Sequence, residues 1–501
     1  MADAIGSSPE HVRQAAPGAL AIGLGRGEIV AEVARQLGPL ERDATVVVAH
    51  SGGPDSTALL FLVAEARPDL QVVPVHVRHG LRDDAADVAA VRLAGQWLGI
   101  LPVIRRVEVQ SEGGPEAAAR AARWNAVAAV ARDLGADAVL LGHTADDQAE
   151  TVLLQAARGA GLRGLSAMAA WRHDEVGMAI GRPLLRVRRA DVHDLVTGDG
   201  LPSVADPSND DPTIRRNLVR QVVLPAMDTV SGDAAAALVR LADLARLDDD
   251  TLDEIARRAL EAWGNRWGPG WAVDASVVDD LPGVARRVVL RMVEAVGATA
   301  IDAALLTSIL ELDSGRERHA AGLRASRDRR WLAMVPAGIA APAAAPLPMD
   351  RDVSWGQGLV VVVTQPPGGS AGSRTDPSRL DLGLVDPPSL PAAALAPPPG
   401  GRADRATVLL PAGLGELTVR PRRSGDRVHT AAGTRTVAAV LADHGVPRVL
   451  RDHVPLLELG GRIVWVAGVD GDVEFIARGL SGPALRVSLC RAGETEGAAP
   501  L

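Results

Sequence analysis

The chain has 501 residues with a formal net charge of −9, and its 47% hydrophobic and 23% charged content is that of a globular protein long enough for about three domains. It contains no lysine, so all 53 basic residues are arginine; tyrosine is absent and phenylalanine occurs twice. A lysine-free chain cannot encode a Walker-A loop, a protein kinase or a pyridoxal-phosphate Schiff base, and its single Cys490 allows neither an intrachain disulfide nor a Cys-x-x-Cys zinc site.

Residues 1–24 read as a flexible N-terminus. Met1 to Gly18 lacks the basic start and long apolar run of a signal peptide. The longest apolar runs, such as Ala58 to Ala64, fall short of the roughly 20 residues of a membrane span. The expectation is a cytoplasmic protein with no membrane partner.

From Asp43 to Gly159, short β-branched runs alternate with amphipathic ones. Ala44–Ala49, Leu70–Val77, Val103–Val109 and Asp137–Gly142 read as buried strands; Ser56–Ala66, Asp83–Leu98 and Pro115–Leu134 read as helices. This alternation predicts an α/β domain over 25–225, a doubly wound, mostly parallel sheet. Three strands end in polar clusters: His50-Ser51-Gly52-Gly53, His76 to His79, and Gly142-His143. In such sheets ligands bind at the carboxyl ends of the strands, so these ends should converge. Residues 226–335 read as a helical middle domain, with a hairpin at Gly322–Val335. Residues 336–405 read as a Pro/Gly-rich linker with an insert, 406–490 as a small β-rich C-terminal domain, and 491–501 as a flexible tail.

The strongest chemical signal is Ser51-Gly52-Gly53-Pro54-Asp55-Ser56, between a strand and a helix. Two glycines let successive N–H groups face one point, the helix start adds positive potential, and Ser51 and Ser56 add hydroxyls. That is an anion cradle without a lysine, and it suits pyrophosphate. Asp55 is placed to hold Mg²⁺ or to cap the helix. A second cluster, Gly142 to Thr151, opens another helix, with Asp147 and Glu150 three apart on one face. Such a pair can bind Mg²⁺, hold an ammonium group or accept a proton. His76, His79 and His143 lie at strand ends; a single such histidine is more often structural, but three facing one site predict at least one nucleotide contact. Arginines cluster at Arg182, Arg186, Arg188 and Arg189, at Arg215, Arg216 and Arg220, and at Arg420, Arg422, Arg423 and Arg427. Three separated clusters suit a long, bent polyanion.

The Ser-Gly-Gly-x-Asp-Ser loop resembles that of the N-type ATP pyrophosphatases, or PP-loop enzymes. Within them the chain is similar to the tRNA(Ile)-lysidine synthases. The likeness lies in His76-Val77-Arg78-His79-Gly80-Leu81-Arg82, the Glu116/Arg120/Arg123 helix, and Gly142 to Thr151 with Arg158-Gly159. It continues in Arg182-Pro183-Leu184-Leu185 and Asp206-Pro207-Ser208-Asn209 with Arg216, Asn217 and Arg220. It resumes in Val419 to Arg422, Gly425-Asp426-Arg427 and Ile463 to Gly468. Arg78, Ala85 and Trp124 depart from the Asp or Asn, Ser and Tyr usual there. The lack of cysteines counts against the thiolases and glutamine-dependent members.

The resemblance implies ATP-dependent ligation of free lysine to C2 of the wobble cytidine of a CAU-anticodon isoleucine tRNA, through an adenylated cytidine. It implies ATP bound by Ser51, Gly52, Gly53, Pro54, Asp55 and Ser56 with His76, His79 and His143, and Mg²⁺ at Asp55. Asp55, Asp147 and Glu150 become the catalytic candidates, with Asp147 and Glu150 also holding lysine. Arg120, Arg123, Arg216, Arg220, Arg420, Arg422 and Arg427 become the tRNA contacts, and a homodimer is a candidate assembly. The rival readings are another PP-loop tRNA ligase or thiolase, and a tRNA-binding protein that has lost catalysis.

Overall fold

The computed structural model describes residues 23–78, 84–107, 115–205, 214–298, 301–348, 352–356, 359–364, 406–411, 414–472, 475 and 484–491. The chain divides into two compact units, Met1–Asp250 and Thr251–Leu501.

In the first unit, α1 (Arg26–Gln36) precedes β1 (Thr45–Ala49), α2 (Pro54–Ala66), β2 (Gln71–Arg78), α3 (Ala85–Leu98), β3 (Val103–Arg106), α4 (Pro115–Asp133) and β4 (Ala138–Leu140). Then follow α5 (Ala145–Ala156), α6 (Leu162–Leu165), β5 (Trp171–His173), β6 (Ala179–Gly181) and α7 (Arg189–Gly198). The strands form one sheet in the order β3-β2-β1-β4-β6-β5, parallel except for β5 against β6. The doubly wound fold is as the alternating pattern predicts. Strand alternation splits the core: Val46 and Val48 of β1 pack with α1, α2 and α7, whereas Val47 packs with Val127, Val130 and Ala131 of α4. The order reverses between β1 and β4, and the loops leaving those two strands flank the crevice this creates.

Beyond α7, the chain runs through α8 (Arg215–Leu218), a π turn at Val219–Val223, α9 (Leu224–Ser231) and the long α10 (Ala234–Trp263). The π turn lies just before Pro225, which has no N–H to donate four residues back.

The second unit begins with the helical middle, whose helices pack on a five-stranded antiparallel sheet formed by Gly264–Trp267, Gly270–Asp274, Trp331–Pro336, Leu323–Arg327 and Glu317–Ala320. Val288 and Met292 share a core there with Leu323, Ala325 and Met334. The expected hairpin is present, with Ala325 opposite Met334. The reading of 336–405 as linker needs correction. Ala345–Leu347 pairs with Leu417–Arg420, and Leu359–Thr364 pairs with both Val353–Gly356 and Ala484–Arg491. The Pro/Gly-rich stretch 368–402 lies outside the described residues. The remaining strands complete two further sheets around Val419, Leu457, Ile463, Trp465 and Val487, antiparallel except where Val428 pairs with Ile463. Among the described residues no single helix is long and apolar enough to cross a membrane.

Candidate active site

The loop after β1 is shaped by Gly52, whose φ of +91° is a left-handed conformation that favours glycine. Its carbonyl accepts from Val204 N at 2.9 Å. Ser51 Oγ lies 3.0 Å from Ser56 Oγ and accepts from Gly53 N at 3.3 Å, and Ser56 Oγ donates to Gly53 O at 3.0 Å. Gly53 caps α2 and Pro54 opens it, so Asp55 falls in the first turn. Gly142 lets the end of β4 approach that turn: a Cβ there would stand 3.0 Å from Asp55 O.

Two histidines brace the loop from beneath. His76 Nδ1–H donates to His50 O at 2.9 Å, and His50 Nε2–H donates to Thr57 Oγ1 at 3.0 Å. Burial, then the neighbouring His76, pushes the His50 imidazole down to about 4, so it stays neutral. His76 is itself buried, which makes it a support of the loop more than a lining residue. His143 is also pushed down to about 4, by burial first; Asp147 opposes the shift, and Arg182, Arg216 and Arg120 add to it. His50 Nδ1, His76 Nε2 and His143 Nδ1 are buried without a hydrogen-bond partner among the described residues. His79 lies outside the described residues, as do Asp206 to Asn209, and Glu116 falls in α4.

On α5, Asp147 serves two neighbours. Its Oδ2 accepts from Thr144 N at 2.8 Å and from Thr144 Oγ1 at 3.0 Å, closing a capping box. Its Oδ1 accepts from Arg189 Nη2 at 2.7 Å and Arg216 Nη2 at 3.3 Å. Glu150, with a side chain 0% exposed, accepts from Arg216 Nε at 2.6 Å, Arg220 Nε at 2.7 Å and Arg189 Nη1 at 3.1 Å. Burial alone would raise Asp147, but Arg189, Arg216 and the Thr144 N–H outweigh it and hold the carboxyl below its usual range. Asp55 joins the same cluster through Arg189 Nε at 3.5 Å and His193 Nε2 at 3.2 Å.

The structure thus brings Asp55, Asp147 and Glu150 together, and it redistributes the arginines. Arg216 and Arg220, expected as tRNA contacts, both face Glu150 and lie four residues apart in the chain. Arg182 points inward to Ala169 O, Arg186 pairs with Asp243, and Arg188 bridges Asp146 and Asp233. Arg120 and Arg123 are exposed on α4. In the second unit Arg420, also expected as a tRNA contact, is 3% exposed and pairs with Asp426 and Glu458. Arg422 pairs with Asp452, and Arg427 is exposed, bonding Thr434 O. Arg420→Met is expected to lower stability by about 1–3 kcal/mol through unpaired Asp426 and Glu458, without changing the salt dependence of tRNA binding; a shallower salt slope would return Arg420 to the tRNA surface.

Arg78, the departure from the usual Asp or Asn, is neutralised by Asp84, with Nη2 to Oδ1 at 2.6 Å. Trp124 is half-buried and packs against the core formed by Val47, Val127 and Val130. Two site residues escaped the sequence reading: Arg189, submerged in an apparent surface cluster, and His193, one polar residue on an amphipathic helix. Among the described residues no group of three His, Cys, Asp or Glu side chains forms a metal cage.

Residues 28–227 match the PP-loop domain family, and residues 417–482 match the TilS substrate C-terminal domain family. A tRNA(Ile)-lysidine synthase of Symbiobacterium thermophilum is 33% identical over 496 residues, covering 92% of this chain and 97% of that protein. One of Ralstonia nicotianae is 32% identical over 460 residues, covering 87% and 91%. One of Thermobifida fusca is 43% identical over 266 residues, covering 52% and 80%. With both domain families in order and two relatives aligned along most of its length, the chain belongs to the tRNA(Ile)-lysidine synthase family.

Proposed function

We propose that this chain joins lysine to C2 of the wobble cytidine in a CAU-anticodon isoleucine tRNA, using ATP. The observation that carries the chemistry is the meeting, at one switch point, of a lysine-free anion loop and the Asp147–Glu150 pair. In the first step the cytidine O2 attacks the α-phosphorus of ATP and pyrophosphate leaves. The N–H groups and hydroxyls of Ser51 to Ser56 receive the leaving anion. In the second step the lysine ε-amine attacks C2 and AMP leaves with the O2 oxygen.

The ε-amine has a pKa of about 10.4, so it arrives as an ammonium. Asp147, held ionised, is suited to bind that ammonium and poorly suited to take its proton. Glu150 completes the binding pair. ATP brings Mg²⁺, and Asp55 can be its protein ligand: Mg²⁺ keeps waters and phosphate oxygens, so one carboxylate suffices, and Asp55 is 27% exposed, with Arg189 at 3.5 Å and His193 at 3.2 Å. His143 and His76, with unpartnered ring nitrogens, are candidates to meet the nucleotide. Exposed Arg120, Arg123 and Arg427 remain the candidate phosphate contacts, each worth about 0.7–0.9 in the salt slope.

The test follows pyrophosphate and AMP separately, with a CAU-anticodon transcript, with and without lysine. Pyrophosphate release should need tRNA, and AMP release should need lysine as well. AMP release indifferent to lysine would indicate another acceptor; tight tRNA binding without turnover would indicate a binding protein.

A further inference from the structure

The carboxylates assigned to the lysine ammonium already hold arginine. Both Glu150 oxygens are taken by Arg189, Arg216 and Arg220, and Asp147 Oδ1 is taken by Arg189 and Arg216. With Asp55 included, three carboxylates face three guanidiniums among the described residues, so the cluster as described offers an incoming cation no uncompensated charge. An ammonium can enter only where a guanidinium leaves.

The three arginines are not equivalent. Arg216 and Arg220 sit on the helical segment after the sheet, and among the described residues their ion pairs go to Glu150 and Asp147. Arg189 opens α7, is 15% exposed, and also reaches Asp55 in the first turn behind the anion loop. Its backbone N–H is fixed by Asp146 Oδ2 at 2.7 Å, which leaves only the side chain to move. A nucleotide in the loop would set several negative charges beside this guanidinium, in a loop with no lysine of its own. A guanidinium exchanges carboxylate for phosphate with the same two-pronged geometry.

We infer that Arg189 is a positioning residue coupling the two substrate sites: its guanidinium occupies the Asp147–Glu150 pair until phosphate at the Ser51–Ser56 loop draws it off, so lysine binds tightly only after the nucleotide. The inference rests on the lysine-acceptor reading above. The ammonium then replaces the positive charge that has left, and the cluster is neutral again.

Equilibrium dialysis of labelled lysine against the full-length chain tests this, in four arms: no addition, a non-hydrolysable ATP analogue with Mg²⁺, the tRNA transcript, and both. Lysine affinity should rise at least tenfold with the analogue, within the roughly 5–150-fold span of ordinary coupling, and lysine should raise analogue affinity by the same factor. Arg189→Gln should bind lysine without nucleotide and bring the factor close to one. Arg188→Gln, which frees only Asp146 and Asp233, should keep it. The wild-type factor is decisive even where a variant folds poorly. Equal lysine affinity with and without analogue, a factor surviving in Arg189→Gln, or an increase caused by tRNA alone would overturn the inference. Lysine binding in no arm would instead overturn the lysine-acceptor reading itself.

Discussion

Replacing Glu150 with alanine is expected to destabilise the first unit by about 3–5 kcal/mol and to stop AMP release while pyrophosphate release persists. Glu150 is fully buried and compensates three guanidiniums that are themselves no more than 29% exposed. Removing it leaves Arg189, Arg216 and Arg220 converging on Asp147, with Asp55 3.5 Å from Arg189 as the further carboxylate among the described residues. That is the costly way to break a buried ion cluster, because the charges remain and their partner does not. At roughly 2–4 °C per kcal/mol for a unit of this size, the melting temperature should fall by about 6–20 °C. Glu150→Gln keeps the volume and one acceptor oxygen but aims an NH₂ group at a guanidinium, so it should lose lysine transfer at a smaller cost in stability. The adenylation half of the reaction uses the loop after β1 and should survive in the glutamine variant. Unchanged melting together with normal lysidine formation in that variant would show that Glu150 neither anchors the arginines nor holds the substrate.

The frame of this site is legible in the sequence because it rests on local signals. The run Thr45 to Ala49 is apolar on both faces, and Ser51 to Ser56 carries its own turn and helix-start chemistry. Strand and helix limits in the sheet therefore emerge within a few residues. The partners of charged side chains do not. Arg188 and Arg189 are adjacent and alike in sequence, yet one braces Asp146 and the other enters the site, a difference set by the α2–α7 packing. Arg420 shows the same limit: its burial depends on Asp426 and Glu458, 6 and 38 residues away. Ala345–Leu347 is hidden for a different reason. Three residues with a central proline make a strand only because Leu417–Arg420 lies alongside. Leu359–Thr364, by contrast, is a β-branched run with a clear strand signal inside a stretch whose composition otherwise suggests a linker.

Gly52→Ala is expected to reduce pyrophosphate release about 100-fold or more while leaving most of the fold intact. Two independent costs arise at this one position. At φ +91° an L-residue is strained by about 1–2 kcal/mol. Its Cβ would also stand 3.1 Å from Asp87 Cα, Cβ and O, and two of those atoms are backbone in the first turn of α3. The loop has little room to retreat, because Gly52 O is held by Val204 N and Ser51 is tied to Ser56. The strain must therefore appear as a shift of the N–H groups that receive pyrophosphate, and misplacement by about 1 Å costs on the order of 100-fold in rate. Gly53→Ala separates strain from contact. Gly53 has φ −80° and its Cβ would meet nothing nearer than Ser51 Oγ at 3.4 Å, so melting should barely change. Any loss of nucleotide binding in Gly53→Ala then measures the space the ligand itself needs, whereas the loss in Gly52→Ala measures the geometry of the loop. Equal melting and equal pyrophosphate release for Gly52→Ala and the wild type would mean that the loop tolerates a right-handed turn, and that its left-handed glycine is not what shapes the anion site.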